Sequence, residues 1–246
     1  MTDPRATELR ALHVPGTPLI LPNVWDGAST HAVQDAGFRA IATGSAAVAA
    51  VLGYRDGEDT PPAEMFAAIA RIVRLARVPV TADVERGYGL PPKELAERLA
   101  ETGAVGCNLE DSDPRTNAPI DAARQADFLA EVRAADPDLV INARVDSFLH
   151  PDADQEEAAD RARRYLAAGA DCVYPIGLSD AERIRWFVRE VGGPVNILFR
   201  PGTPSLAELA TLGVARVSYG HGLHAAAHAR AVEMISAIRS GASPYQ

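Results

Sequence analysis

Short apolar runs rich in β-branched residues recur along the chain, at residues 19–22, 39–43, 78–83, 104–109, 139–144, 172–176, 194–199 and 214–218. Between most of them lie segments with apolar residues at helical spacing, such as PPAEMFAAIARIVRLA (61–76) and QEEAADRARRYLAAG (155–169). The first pattern predicts buried strands and the second amphipathic helices. Several helices are predicted to stop at a glycine just ahead of a strand, in AGF (36–38), TGA (102–104), AGA (168–170) and LGV (212–214). Glycine accepts the left-handed conformation that ends a helix. Proline opens two strands, in VPV (78–80) and GPV (193–195), where a missing N–H costs least. Units of roughly thirty residues have the size of parallel crossovers. Eight of them predict an α/β fold of (β/α)₈ type, a TIM barrel, with residues 1–246 as a single catalytic domain. An open doubly wound sheet is the competing arrangement, but no GxGxxG follows the first strand and no phosphate-binding GxxxxGK segment occurs.

Composition narrows the setting. A 47% hydrophobic share over 246 residues is ample for a sizeable core. The net charge of −9 argues against nucleic acid or an anionic membrane surface as the main partner. The start, MTDPRATELRALHVPG, has no apolar stretch after a basic segment, so no secretory signal is expected. No apolar run approaches the roughly 20 residues that span a bilayer. Cys107 and Cys172 are too few for a disulfide framework and sit in strand-like runs, as core thiols do. A soluble cytoplasmic protein is expected.

Polar residues collect where the strands end, the face on which parallel barrels place their chemistry. Asp83 and Glu85 close VPVTADVE, Glu110 and Asp111 close AVGCNLED, and Asn142, Arg144 and Asp146 close LVINARVD. If strand pairing continued through Asp83 and Glu85, their side chains would point the same way, into the barrel mouth. Three carboxylates without His or Cys make a hard oxygen site for Mg²⁺ or Mn²⁺, some of them bound through water. The bland alternative for each is a salt-bridged carboxylate at a strand end. Arg144 would grip a substrate carboxylate in two-pronged fashion, or else pair with Glu110 or Asp146. Gly44 and Ser45 offer backbone N–H groups at a tight turn that would cradle an oxyanion. Together these describe a site for a small 2-oxo acid or its enolate.

LPNVWDGAST, ATGSAAVAAVLGYRDGE, TADVERGYG, CNLEDS and NARVDSF resemble successive motifs of the isocitrate lyase/phosphoenolpyruvate mutase family, in order from residue 18 to 148. VYPIG (173–177) and RVSYG (216–220) extend the resemblance more loosely. It implies a (β/α)₈ barrel with Mg²⁺ at the strand ends. Asp83, Glu85 and Glu110 would be the metal group, although the usual motif has a second Asp in place of Glu85. Gly44, Ser45 and Ala46 would form the oxyanion turn, Arg144 would take the substrate carboxylate, and Asp56 would lie near substrate and metal waters. Two departures limit the activity. The cysteine-bearing KKCGH-like loop of isocitrate and methylisocitrate lyases is replaced by EDSDPRTNAPIDAARQ, which disfavours isocitrate cleavage. Arg115, Thr116 and Asn117 echo the KTN of the phosphonopyruvate hydrolase and phosphonomutase branch, with Asn117 as a substrate contact, but Ser112 replaces a lysine and YPIG lacks a histidine.

The expectation is therefore a Mg²⁺-dependent carbon–carbon lyase acting on a small 2-oxo or 2-hydroxy dicarboxylate through a metal-stabilised enolate, of oxaloacetate decarboxylase or hydrolase or substituted-malate lyase type. A P–C bond enzyme and a non-catalytic 2-oxo acid-binding barrel are the alternatives. A phosphate-binding barrel would instead use Gly202, Gly220 and Gly222 after the last two strands. His221 is a candidate proton donor because imidazole titrates near neutrality. Tyr88 is a second, on a Gly-Tyr-Gly loop expected to close over substrate. Because the chain ends soon after the helix predicted at 224–238, a homodimer or homotetramer without helix exchange is expected.

Overall fold

A computed structural model describes residues 3–245; Met1 and Thr2, which begin the segment read for a secretory signal, and Gln246 fall outside that range. A short helix, α1 (Pro4–Ala11), precedes a regular alternation. It runs β1 (Leu19–Leu21), β2 (Asn23–Val24), α2 (Gly27–Asp35), β3 (Ile41–Thr43), α3 (Ser45–Leu52), α4 (Pro62–Leu75), β4 (Val80–Asp83), α5 (Pro92–Thr102) and β5 (Gly106–Leu109). It continues α6 (Ala122–Ala135), β6 (Val140–Arg144), α7 (Gln155–Ala167), β7 (Cys172–Tyr174), α8 (Ala181–Val191), β8 (Asn196–Leu198), α9 (Leu206–Thr211), β9 (Arg216–Ser218) and α10 (Gly222–Arg239). Each predicted apolar run contains a strand. The four glycines predicted to end helices, Gly37, Gly103, Gly169 and Gly213, all have positive φ.

Every strand pairing is parallel. Six strands run in the order β2-β3-β4-β5-β6-β7 and three in the order β1-β9-β8. β1 and β2 are one stretch of chain split at Pro22, the first pairing with β9 and the second with β3. A parallel bridge from Val173 to Val195 joins β7 to β8 and completes the ring. The fold is thus the expected (β/α)₈ barrel. Pro79 and Pro194 stand just before β4 and β8 and contribute only carbonyls, which accept from the N–H groups of Ile41 and Val173 at 3.0 Å each.

Two clusters fill the interior. The larger lies between the barrel wall and its helices. The smaller joins Ala6 and Leu9 of α1 to Leu19, Leu21, Ala40, Ala42, Val105 and Val140, near the N-terminal ends of the strands. α1, which was not foreseen, therefore plugs the bottom of the barrel. Gly106 makes room for it: a Cβ there would stand 2.9 Å from both Leu9 Cδ2 and the Val140 carbonyl. Arg10 fastens the plug, its Nε donating to Asp171 Oδ1 at 2.6 Å. Above it the interior is polar. Arg216 of β9 reaches across to donate to Asn108 Oδ1 of β5 at 3.1 Å, and Asn142 Nδ2 donates to the same oxygen at 2.8 Å.

Cys107 and Cys172 are buried free thiols, as expected, and burial raises the pKa of both, Cys172 to about 12. Among the described residues no helix is long and apolar enough to cross a membrane. α10 differs from the other long helices in burying none of its residues, and its Ile235 and Ile238 are 64% and 61% exposed.

His13, at the end of the α1 segment, yields a pH prediction. Its Nδ1 lies 2.8 Å from the Leu9 carbonyl, which can only accept, so Nδ1 carries the proton. Its Nε2 is buried without a partner. Protonation would bury a second donor near Arg216, and burial followed by that charge lowers the pKa from 6.5 to about 4. Between those values the unfolded chain binds a proton that the folded one refuses. Stability should therefore fall by roughly 3 kcal/mol as pH drops from 6.5 to 4, and His13→Leu should flatten that part of the curve in urea-unfolding measurements.

Candidate active site

The site is built from the last residues of β3 to β6 and the turns that follow. Asp83 ends β4, and its backbone N–H is fixed by Thr43 Oγ at 2.9 Å. One oxygen of its carboxylate accepts from Ser45 Oγ at 3.2 Å and Ser45 N at 3.4 Å; the other accepts from Glu85 N at 3.4 Å. Burial raises its pKa, Asp56 raises it further, and Arg144 opposes both. Glu110 follows β5 and forms an ion pair with Arg144 Nη1. Its pKa is well above the ordinary value, because burial and the charges of Asp146, Asp83 and Glu85 outweigh Arg144. Burial alone would lower the pKa of Arg144, but Asp146, Glu110 and Asp83 more than reverse that, so the guanidinium stays charged.

A second row of side chains orients the first. Arg144 Nε donates to Asp146 Oδ1 at 2.8 Å. Asp146 is itself held by its backbone N–H, which donates to Asp111 Oδ1 at 2.8 Å. Asp111 accepts on its other oxygen from Tyr165 Oη at 2.7 Å and Arg161 Nη1 at 3.4 Å, both on α7. The chain of contacts runs from the helical layer to the barrel mouth and fixes the plane of Arg144. Asp111 and Asp146 stood out in the sequence as acids at strand ends; their part in holding Arg144 emerges only from three-dimensional contact.

Gly44, Ser45 and Ala46, the turn expected to cradle an oxyanion, form the junction between β3 and α3. Gly44 caps α3 without a side-chain bond, and the first N–H of that helix, from Ser45, points to Asp83 at the end of β4. Helix N-termini favour anions. A Cβ on Gly44 would come within 3.3 Å of the Gly220 carbonyl, so a larger residue would push the turn away from β9. Asp56 sits on the exposed loop between α3 and α4, close enough to raise the pKa of both Asp83 and Glu85.

Four candidate residues stand elsewhere. β4 ends at Asp83, and Glu85 has φ of +50°, so strand alternation fails and its side chain leaves the mouth. Its carboxylate accepts instead from the backbone of Gly57 and Glu58 and from Tyr88 Oη. Tyr88 is thereby buried beside Glu85, and its pKa rises mainly through burial, which does not suit it to give up a proton. Asn117 is exposed at the tip of the loop after β5, with φ of +55° and a backbone N–H turned back to Asp113. His221 is exposed at the start of α10 and makes no hydrogen bond to the strand-end residues.

Among the described residues no three His, Cys, Asp or Glu side chains stand close enough to hold a metal alone, so the expected trio does not converge. The donor chemistry nonetheless fits a hard divalent cation, which needs only one or two carboxylates and keeps several waters. Asp83 and Glu110 are all-oxygen donors whose pKa values are raised first by burial and then by neighbouring carboxylates, with Arg144 opposing. Asp83 would be the direct ligand, with Glu110 and Asp56 facing its waters.

A parallel barrel with buried carboxylates and one paired arginine at its strand ends belongs to a well-defined class of barrel enzymes. The sequence pattern of the phosphoenolpyruvate phosphomutase family matches residues 9–239, and the chain belongs to that family, within the PEP mutase/isocitrate lyase superfamily of lyases and mutases. An uncharacterized protein of Mycobacterium tuberculosis is 38% identical over 89% of this chain and 85% of its own length. Oxaloacetate decarboxylase 1 of Pseudomonas fluorescens is 30% identical over 83% of this chain and 74% of its own. Among solved structures, a phosphonomutase candidate from Burkholderia cenocepacia is 42% identical with a TM-score of 0.89, covering 95% of this chain and all of that one. A 2,3-dimethylmalate lyase is 27% identical with a TM-score of 0.84, covering 100% of this chain and 90% of its own.

The contacts around Arg144 predict a stability effect independent of turnover. Asp146→Ala leaves a buried guanidinium short of one partner and should lower unfolding free energy by about 3 kcal/mol. Asp146→Asn keeps the accepting oxygen and should cost clearly less. Urea-unfolding midpoints of the two variants check both.

Proposed function

We propose that this protein is a divalent-metal-dependent lyase that breaks a C–C bond of a small 2-oxo or 2-hydroxy dicarboxylate. The carrying observation is the juxtaposition of the charged, pre-oriented Arg144 with half-buried Glu110 and Asp83, the latter beneath the N-terminus of α3. Arg144 binds and orients the substrate carboxylate, exchanging part of its bond to Glu110 for the bidentate contact. The N–H groups of Ser45 and Ala46 receive the oxygen on which charge develops, Ser45 N exchanging its long 3.4 Å contact with Asp83 for it. A divalent cation bound at Asp83 would supply Lewis acidity at that same oxygen. Asp56, on the exposed α3–α4 loop near Asp83, would orient the reacting group or accept its proton. Relatives named for oxaloacetate decarboxylation and dimethylmalate cleavage support C–C chemistry.

A P–C bond reaction is the second reading, favoured by the family pattern and by the likeness to a phosphonomutase candidate. It ranks lower because Asn117, the residue echoing that branch, is exposed at a loop tip. A panel of oxaloacetate, dimethylmalate, methylisocitrate, isocitrate and phosphonopyruvate, assayed with and without Mg²⁺, separates the readings. Release of a 2-oxo acid from a dicarboxylate only with Mg²⁺ is expected, and Asp83→Ala should reduce it by at least about a thousandfold. Phosphate from phosphonopyruvate would replace the C–C reading. No turnover, with Mg²⁺ and oxalate still binding, would make the chain a binding barrel.

The assembly we propose is a homo-oligomer in a reducing cytoplasm, where two free thiols persist. α10 buries none of its residues and presents Val232, Ile235 and Ile238 to solvent. A helix so placed fits exchange between copies better than the association without exchange expected from chain length. Light scattering should give a dimer or tetramer, and Ile235→Asp with Ile238→Asp should shift it toward monomer.

A further inference from the structure

The loops around Asp56 hold an arrangement that a role in metal binding leaves unexplained. Glu85 Oε2 accepts from Gly57 N at 2.8 Å and Glu58 N at 2.5 Å, while Oε1 accepts from Tyr88 Oη at 2.9 Å. Glu58 returns the contact, its Oε1 accepting from Tyr88 N at 2.5 Å. The α3–α4 loop and the turn after β4 are therefore laced together in both directions. The Tyr88 ring is packed edge-on against Phe66 of α4, with centroids 6.2 Å apart, which ties the lacing to the core.

Backbone conformation marks the same place. Four non-glycine residues among those described have positive φ, and three of them are Glu58, Glu85 and Tyr88. Side chains rarely adopt that region, and they persist in it only where surrounding bonds over-determine it. The left-handed turn at Glu85 is what redirects its carboxylate from the barrel mouth to the loop. The reach also matters: the longer arm of Glu, in place of the Asp usual in the resembling motif, spans the distance to the Gly57 and Glu58 amides.

We propose that Glu85 is a positioning residue, a latch that fixes the Asp56 loop over the strand ends by accepting two of its backbone N–H groups, and that it is not a ligand of the divalent cation. Asp56 lies next to the two latched amides, so its place at the site depends on a side chain that never touches substrate. The consequence for turnover rests on the functional reading above; the latch itself does not.

Three variants of the full chain test it: Glu85→Gln, Glu85→Asp and Tyr88→Phe. Gln keeps an oxygen for the two amides and turns its NH₂ toward the Tyr88 hydroxyl, whereas Asp is one carbon short. Amide hydrogen exchange at Gly57 and Glu58, measured without metal, reads the latch directly. Glu85→Asp should speed it by about tenfold or more, Tyr88→Phe by less, and Glu85→Gln least. Mn²⁺ titration reads the ligand role, and Glu85→Gln should bind Mn²⁺ within about tenfold of the unaltered chain. Where turnover is found, kcat should fall in Glu85→Asp with KM nearly unchanged, and Glu85→Gln should restore part of it. The proposal is overturned if exchange is unaltered in Glu85→Asp, or if Glu85→Gln loses Mn²⁺ by more than that margin. Should Glu85→Asp fail to fold, as circular dichroism would show, the exchange in Tyr88→Phe and the Mn²⁺ affinity of Glu85→Gln decide. Failure of the unaltered chain to bind Mn²⁺ would count against the metal reading alone, with the exchange data still judging the latch.

Discussion

Buried negative charge in excess of its compensation is the constraint around which this barrel is organised. Asp83, Glu110 and Asp146 all face Arg144, and Asp56 and Glu85 add to the field from the loops. One guanidinium cannot balance that many carboxylates, and desolvated charges are costly unless paired and hydrogen-bonded. The surrounding structure answers by giving the acids donors. Ser45 donates to Asp83, whose backbone N–H is in turn held by Thr43 Oγ1, while Tyr165, Arg161 and the Asp146 amide donate to Asp111. At the mouth the fixed positive charge is Arg144, paired with both Glu110 and Asp146.

The rest of the fold permits this concentration of charge. α1 seals the opposite end with apolar side chains, so the buried polar interior around Asn108, Asn142 and Arg216 is closed below. Arg216 contributes a positive charge deep in the barrel, where its pKa is lowered chiefly by burial even though Tyr174 and Asp83 favour its charged form. The site thus stands between two arginines, one at the mouth and one beneath it.

Much of this was legible in the residues. Strand positions followed from β-branched runs, and helix ends from glycines, because both depend on local backbone preference. Asp83, Glu110 and Arg144 could be placed at the mouth because they end strands whose alternation is regular to that point. Glu85 could not: one residue in a left-handed conformation breaks the period of two, and nothing local in DVERGYG announces it. α1 was missed because eight residues with only Ala6 and Leu9 buried carry too little apolar pattern. The service of Asp111 and Asp146 to Arg144 joins residues on different elements through Tyr165 and Arg161, which linear spacing does not reveal. Asn117 shows the opposite error, a short motif echo with no structural counterpart at the site.

The two cysteines have a practical bearing. Both are sealed in the barrel wall, with burial holding their thiols protonated at ordinary pH. Thiolate is the reactive form, so the native chain offers almost no background to maleimide or spin-label chemistry. A single cysteine placed on the exposed stretch between Tyr54 and Asp59 would report loop motion by fluorescence or distance spectroscopy, and every native residue of the barrel would stay in place.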